Sequence, residues 1–174
     1  MLKKIELLAN VAIIVVALLL GAVLVKRNLP SPRHQPAAPP RAAIQPGTKI
    51  QLPGVDWGAS EQTLLLALSE RCHFCSESAG FYQRLVREKS QPDSPRIIAV
   101  LPQEVSRGQS YLTNLGVAVD DVKQSAMSVI GVSGTPTIIL VDRTGVVKES
   151  WVGKLPPERE AEVLHRLRIT RAAR

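Results

Sequence analysis

The chain has 174 residues and a formal net charge of +7, of which +5 falls in residues 1–47 and +2 in residues 48–174. It contains two Phe, two Tyr and two Trp, too few for a base-stacking platform, and no basic face is evident, which excludes nucleic-acid binding. Residues 48–174 are numerous enough for one domain with a hydrophobic core.

The first predicted element is a membrane helix. Residues 5–25 are apolar except for Glu6 and Asn10, and Lys26 and Arg27 end the run. About 20 helical residues at roughly 1.5 Å each cross the roughly 30 Å hydrocarbon layer of a bilayer. The sequence therefore predicts an N-terminal transmembrane anchor within residues 1–27.

A cleaved signal peptide is the alternative to an uncleaved anchor. Its apolar region is normally about 7–15 residues long and precedes an Ala-x-Ala-like site. No such site follows Val25, which favours the anchor. Lys and Arg flank both ends of the apolar run, so the positive-inside count does not orient it. We expect an extracytoplasmic domain, periplasmic or at the cell surface, because a single N-terminal anchor resembles a signal-anchor and an oxidising compartment suits a reactive cysteine pair.

Residues 28–47 are predicted to be a linker. They contain six prolines: Pro30, Pro32, Pro36, Pro39, Pro40 and Pro46. Prolines stiffen a chain toward polyproline II, at about 3.1 Å per residue. We therefore expect this segment to hold residues 48–174 away from the membrane and not to fold by itself.

In residues 48–174, apolar runs alternate with segments of helical spacing. The predicted strands are residues 49–52, 62–68, 96–101, 117–119, 137–141 and 146–151. The predicted helices are one that carries the cysteines and runs to about residue 89, then residues 104–115, 122–130 and 156–167. Strands that alternate with helices and then end in a hairpin and a helix predict an α/β domain with a mixed sheet.

The two cysteines, Cys72 and Cys75, lie between a predicted buried strand and a predicted helix. A helix N-terminus has unpaired N–H groups and the positive end of the macrodipole, which both favour a thiolate over a thiol. Cys72 is therefore expected to be the attacking sulfur, and Arg71 and protonated His73 would act in the same direction. Cys75, one turn further on, is placed to attack a mixed disulfide on Cys72 and release the product.

Other uses of a Cys-x-x-Cys pair fit this chain less well. A zinc site would need further ligands, but there is no second cysteine pair and His34, His73 and His165 are scattered. A c-type haem site would need His directly after the second cysteine, where Ser76 stands. No metal or cofactor is therefore expected. A structural disulfide, or two inert buried thiols, stays open as a non-catalytic alternative.

Two motifs carry a resemblance to a known family. Cys72-His73-Phe74-Cys75 after a strand and Gly134-Thr135-Pro136-Thr137 before a hairpin resemble the thioredoxin fold, nearest to membrane-anchored redoxins of the thiol–disulfide oxidoreductase type. The resemblance covers residues 48–174 and implies a mixed sheet flanked by helices. It also implies a cis peptide bond before Pro136, which would pack beside the cysteines, and a backbone at Thr135 that receives a peptide substrate.

The chain departs from the family at three places. Arg71 replaces a common Trp before the first cysteine, His73-Phe74 replaces Gly-Pro, and Leu66 stands where thioredoxin has a buried acid. The intervening dipeptide tunes the potential in this family; His73-Phe74 suggests a potential above that of thioredoxin and leaves the direction of electron flow open. The acids that could replace the buried one are Glu70, Glu77 and Glu104, each expected to be an exposed surface charge.

The resemblance implies a membrane-tethered thiol–disulfide oxidoreductase. Its partners would be protein dithiol or disulfide substrates and a membrane or soluble redox partner. A peroxiredoxin-like peroxidase is an alternative, since Ser69 lies three residues before Cys72 where such enzymes usually have Thr, but Leu65 stands where they have Pro. The third possibility is a non-catalytic binding module with a structural Cys72–Cys75 disulfide.

Overall fold

The computed structural model describes residues 43–88 and 94–172, with side chains as far as Leu167, together with Ile14, Val16 and Leu19. The chain divides into two compact units, Met1–Pro39 and Pro40–Arg174. In the first unit the three described residues are helical and exposed. The rest of the predicted anchor, residues 5–25, and most of the predicted linker, residues 28–47, lie outside the described residues. Among the helices that are described, none is both long and apolar enough to cross a membrane.

The second unit is built on one five-stranded mixed sheet. Its strands are β1 (Gln62–Ala67), β2 (Arg96–Leu101), β3 (Asp121–Gln124), β4 (Thr137–Asp142) and β5 (Val147–Val152), in the spatial order β3-β2-β1-β4-β5. The first three strands are parallel, and β4 is antiparallel to both β1 and β5. The helices are α1 (His73–Glu77), α2 (Ala79–Glu88), α3 (Val105–Asn114) and α4 (Pro157–Ala172). The predicted mixed sheet flanked by helices is confirmed.

β1 is the central strand, and both of its faces are buried. This explains its continuous apolar run, since a strand covered on both sides has no polar face. Leu64, Leu66 and Leu68 belong to a cluster that includes side chains from all four helices and Cys75. Leu65 and Ala67 belong to a second cluster with Ile44, which the sequence placed in the linker. The strand that precedes the cysteines is therefore held rigidly by core packing on both sides.

Three predicted elements are wrong. Residues 49–52 form a single bridge, Lys49 with Val146, because the segment meets the sheet only at the end of the hairpin. Residues 117–119 are not a strand, and residues 122–130 are not a helix. Instead β3 pairs in parallel with β2, with Val122 opposite Ala99. With one buried residue in four, β3 has too weak an apolar pattern to be recognised from sequence.

The helix that carries the cysteines is interrupted at Ser78, although the sequence predicted one continuous helix. The Ser78 hydroxyl donates to the Phe74 carbonyl at 2.8 Å, and its own N–H donates to the same carbonyl at 3.1 Å. The backbone of Ser78 has φ of −86° and ψ of 4°, outside the α-helical range, and this separates α1 from α2. Two helix predictions are close: residues 104–115 correspond to α3, and residues 156–167 correspond to α4, which begins one residue later and extends to Ala172.

The β4–β5 hairpin is stabilised by the carboxylate of Asp142. Oδ1 accepts hydrogen bonds from the Thr144 hydroxyl at 2.6 Å, the Thr144 N–H at 2.9 Å and the Val146 N–H at 3.1 Å. These bonds, that of the Thr144 hydroxyl first, hold the pKa of Asp142 below its ordinary value. Gly145 completes the turn with φ of 82°, and a Cβ there would lie 2.9 Å from Trp57 Nε1.

Replacing Asp142 with Ala should lower the free energy of unfolding by about 1–2 kcal/mol at neutral pH, because two backbone N–H groups lose their acceptor. Because the pKa of Asp142 is lower in the folded state, its carboxylate contributes fully to stability at a pH above its ordinary pKa of about 3.9. This contribution is lost as the pH falls through the folded-state pKa. The difference between the two proteins should therefore shrink in acid. Urea unfolding at several pH values measures this. Glu104→Ala is the control, since Glu104 is exposed and makes no capping hydrogen bond; equal losses would contradict the assignment.

Candidate active site

Cys72 is the N-cap residue of α1, with φ of −94° and ψ of 107°. Its sulfur accepts a hydrogen bond from the Cys75 N–H at 3.2 Å, and its thiol donates to the Thr135 carbonyl at 3.3 Å. Its side chain is partly exposed, and both cysteines are free thiols. An amide N–H aimed at the sulfur stabilises a thiolate there. Because α1 has only five residues, this local hydrogen bond stabilises a Cys72 thiolate more than the helix macrodipole does.

Cys75 is fully buried behind Cys72. Burial, followed by the hydrogen bond with Cys72, raises the pKa of the Cys75 thiol to about 12. The Ser69 backbone and the Thr135 side chain act in the opposite direction on the same pKa. The two sulfurs thus differ in access and in readiness to ionise, which is the asymmetry expected of an attacking and a resolving cysteine.

The three predicted tuning residues lie at the surface around this pair. Arg71, His73 and Phe74 are all exposed, Phe74 with 49% of its surface. His73 Nε2 lies 2.9 Å from Glu77 Oε1, and Lys154 Nζ lies 2.8 Å from Glu77 Oε2. The hydrogen bond from Lys154 and the charge of His73 lower the pKa of Glu77. The charge of protonated His73 is therefore directed toward Glu77, which weakens the expected action of His73 on Cys72.

In the part of the chain that the structure describes, none of the three candidate acids replaces the missing buried one at the position of Leu66, which is fully buried. Glu77 is paired with His73 and Lys154, and Glu104 is exposed. Glu70 forms an ion pair with Arg107. Within the described residues, no group of three or more His, Cys, Asp and Glu side chains could hold a metal ion. Of the three candidate acids, two thus form ion pairs and one is exposed.

The loop before β4 brings the second motif to the cysteines. The Thr135–Pro136 peptide bond is cis, as the resemblance implied. The Thr137 hydroxyl donates to the Gly134 carbonyl at 2.6 Å, and the Gly153 N–H donates to the Pro136 carbonyl at 2.7 Å. These bonds fix the loop between β4 and the end of β5. Two motifs that are 63 residues apart at Cys72 and Thr135 thus meet at a hydrogen bond.

The structure adds site residues that the sequence analysis missed. Gln103 Nε2 donates to Ser69 Oγ at 3.3 Å, and Ser69 accepts the Cys72 N–H at its carbonyl at 3.0 Å. Gln103 follows β2, which is parallel to β1, the strand before the cysteines. Because the carboxyl ends of neighbouring parallel strands lie at the same edge of a sheet, this position could have indicated that Gln103 lies near the site. The Tyr111 hydroxyl lies 3.2 Å from Ser76 Oγ. A groove of about 310 Å³ beside this contact is lined by Glu70, Ser106, Arg107, Ser110, Tyr111 and Asn114.

Alkylation of the reduced protein at about pH 7 should modify Cys72 and leave Cys75 unmodified. Cys75 is fully buried, and at a pKa of about 12 its thiolate fraction there is about one part in 10⁵. Iodoacetamide labelling followed by peptide mass spectrometry gives the rate at each cysteine. The same reaction in guanidinium chloride is the control and should label both. Equal rates in the folded protein, or faster labelling of Cys75, would reverse the assigned roles.

Comparison with solved structures identifies the fold as thioredoxin-like. Similar structures include the thioredoxin domain of a thiol-disulfide oxidoreductase from Bacteroides vulgatus, with a TM-score of 0.53 and 14% identity over 71% of this chain and 97% of that chain. A thiol-disulfide isomerase from Corynebacterium glutamicum has a TM-score of 0.51 and 16% identity over 74% of this chain and 95% of that chain. A candidate DsbE thiol:disulfide interchange protein from Chlorobium tepidum has a TM-score of 0.55 and 20% identity over 75% of this chain and 97% of that chain. No protein-family model and no curated protein sequence matches the chain.

Proposed function

We propose that this protein is a thiol–disulfide oxidoreductase in which Cys72 attacks and Cys75 resolves. One observation carries the proposal: a partly exposed Cys72 sulfur accepts an amide N–H at 3.2 Å and contacts the Thr135 carbonyl, while Cys75 is buried behind it. A structural disulfide needs no such difference between its two sulfurs. The thiol–disulfide proteins among the structural neighbours support the same class of activity.

The reaction proceeds in two exchanges. The Cys72 thiolate attacks one sulfur of a substrate disulfide, and the other substrate sulfur leaves as a thiolate. Cys75 then attacks Cys72 in the mixed disulfide, the Cys72–Cys75 bond forms, and the second substrate thiol departs with the proton that Cys75 loses. Run backwards, the same steps oxidise a substrate dithiol. The redox poise of the partner that restores the cysteine pair sets the direction.

Proteins are the proposed substrates. The main chain of Thr135 and Pro136 lies beside the attacking sulfur, where it offers a docking edge to an extended peptide. Phe74, half exposed between the two cysteines, adds an apolar contact next to the sulfur. Arg71 and His73 border the same surface and would tune the site by their charge.

The membrane tether and the location form part of the proposal. Residues 5–25 would anchor the protein, residues 28–47 would act as a spacer, and the redox domain would lie outside the cytoplasm. Protease added to intact spheroplasts should then remove the domain. Full protection of the domain, with digestion only after lysis, would overturn this topology.

A trapping experiment tests the function. In Cys75→Ser the resolving sulfur is absent, so substrates should accumulate as mixed disulfides on Cys72. These adducts can be isolated under non-reducing conditions, released with dithiothreitol and identified by mass spectrometry. Cys72→Ser is the matched control, because it removes the attacking sulfur and keeps Cys75. Absence of dithiothreitol-sensitive adducts on Cys75→Ser, or equal yields on both variants, would refute the proposed function.

A further inference from the structure

Two buried hydroxyl groups lie on the helix face that carries Cys75. Cys75, Ser78 and Tyr82 are spaced i, i+3 and i+7, which places them on one side of the α1–α2 segment. Their exposed fractions are 0%, 5% and 1%, and Tyr82 packs in the same core cluster as Cys75. In addition to Cys72, the Ser69 backbone and the Thr135 side chain, the helix therefore brings two hydroxyls to the side of Cys75 that enters the core.

The Tyr82 hydroxyl makes no hydrogen bond with any other group in the part of the chain that the structure describes. The Ser78 hydroxyl lies beside it, close enough to lower the pKa of Tyr82, and donates to the Phe74 carbonyl at 2.8 Å. A buried hydroxyl without a partner costs free energy, and few native groups are left in this condition. A Phe at this position would fill nearly the same volume without that cost. The presence of the hydroxyl is therefore better explained by a role in function than by a role in stability.

We infer that Tyr82 assists the resolving step by donating a hydrogen bond, directly or through Ser78, to the Cys75 sulfur as that sulfur becomes a thiolate. The inference rests on the function proposed above and names a residue that assists the resolving cysteine in a chain where Leu66 stands at the position of thioredoxin's buried acid. Cys75 attacks Cys72, the bond between Cys72 and the substrate breaks, and the Cys75 proton passes to the departing substrate thiolate. The Tyr82 hydroxyl keeps its own proton throughout.

The electrostatics of the site agree with a neutral donor. Burial, followed by the nearby Cys75, raises the pKa of Tyr82, so the hydroxyl stays protonated at any physiological pH. The other ionisable groups that act on Tyr82 are Tyr111 from α3 and Cys72. A neutral donor in a buried site stabilises an adjacent thiolate more strongly than it would in water.

The test is a single-turnover reaction of the reduced 174-residue chain with 5,5′-dithiobis(2-nitrobenzoic acid). Attack by Cys72 releases a first thionitrobenzoate, and attack by Cys75 on the mixed disulfide releases a second. Tyr82→Phe should leave the first release unchanged and slow the second by about tenfold or more, the effect of losing a hydrogen bond to a charged group. Its second release should also require a higher pH. Because the lost hydroxyl has no partner, the free energy of unfolding should stay the same or rise.

Tyr111→Phe serves as the common background, because it removes the other of the two tyrosines in the chain. The second release of each variant is compared with that of Tyr111→Phe itself. In this background, 3-fluorotyrosine labels position 82 alone, and its more acidic hydroxyl should speed the second release even if Tyr82→Phe fails to fold. An unchanged second release in both the Phe and the fluorinated protein would overturn the inference and leave the proposed function intact. A missing first release in the wild type would refute the proposed function, and the inference with it.

Discussion

Cys72→Ser should abolish disulfide exchange, with a loss of about 10³-fold or more, because a serine hydroxyl at its free pKa is a weak nucleophile and cannot form a disulfide. In the structure the Cys72 sulfur is the one that is accessible, accepts an amide N–H and contacts the Thr135 loop. No other described thiol is exposed, since Cys75 is fully buried. Reduction of a model protein disulfide, such as that of insulin, in the presence of dithiothreitol measures the effect.

Cys75→Ser separates the two steps and controls for the fold. It should retain the first exchange and stop at the mixed disulfide, so one equivalent of product thiol should appear without turnover. Both serine variants should remain folded, because each replaces a thiol with a hydroxyl of similar size. Measurable multiple turnover by Cys72→Ser would show that Cys75 or another group carries the activity, and the assigned roles would be wrong.

Leu66→Ala should have the largest effect on stability, a loss of about 2–5 kcal/mol in the free energy of unfolding. Leu66 is fully buried in the central strand, where it pairs with Ala99 on β2 and Ile138 on β4. Neighbours on both strands and the helices above keep the site from collapsing around a smaller side chain, so a cavity remains. Urea unfolding followed by circular dichroism measures the loss.

Val129→Ala is the control for that experiment. Val129 is 57% exposed and should change the free energy of unfolding by less than about 0.5 kcal/mol. The same purified proteins also report on the site, since a folded Leu66→Ala should keep the preference of alkylation for Cys72. A loss below about 1 kcal/mol would mean that the core around β1 relaxes freely, contrary to its packing on both faces.

The sequence determined the elements whose pattern is local and strong. The apolar run of β1, the β4–β5 hairpin and helix α3 each have a continuous signal, and the structure places them close to the predicted bounds. The pair of motifs at Cys72 and Pro136 sufficed to indicate the thioredoxin fold, because a short strand-to-helix cysteine pair and a Thr-Pro turn are specific in combination. The predicted anchor and its orientation stay predictions.

The tertiary structure decided what depends on partners that are distant in the chain. β3 forms because it can pair with the free edge of β2. Its four residues include one buried side chain, which is too weak a pattern to predict a strand from the sequence. The break at Ser78 lies in the backbone angles of one residue, which no periodicity reveals. Burial of Cys75, the contact of Cys72 with Thr135 and the unpartnered Tyr82 hydroxyl follow from packing, because burial and hydrogen-bond satisfaction are properties of the whole core and not of any one segment.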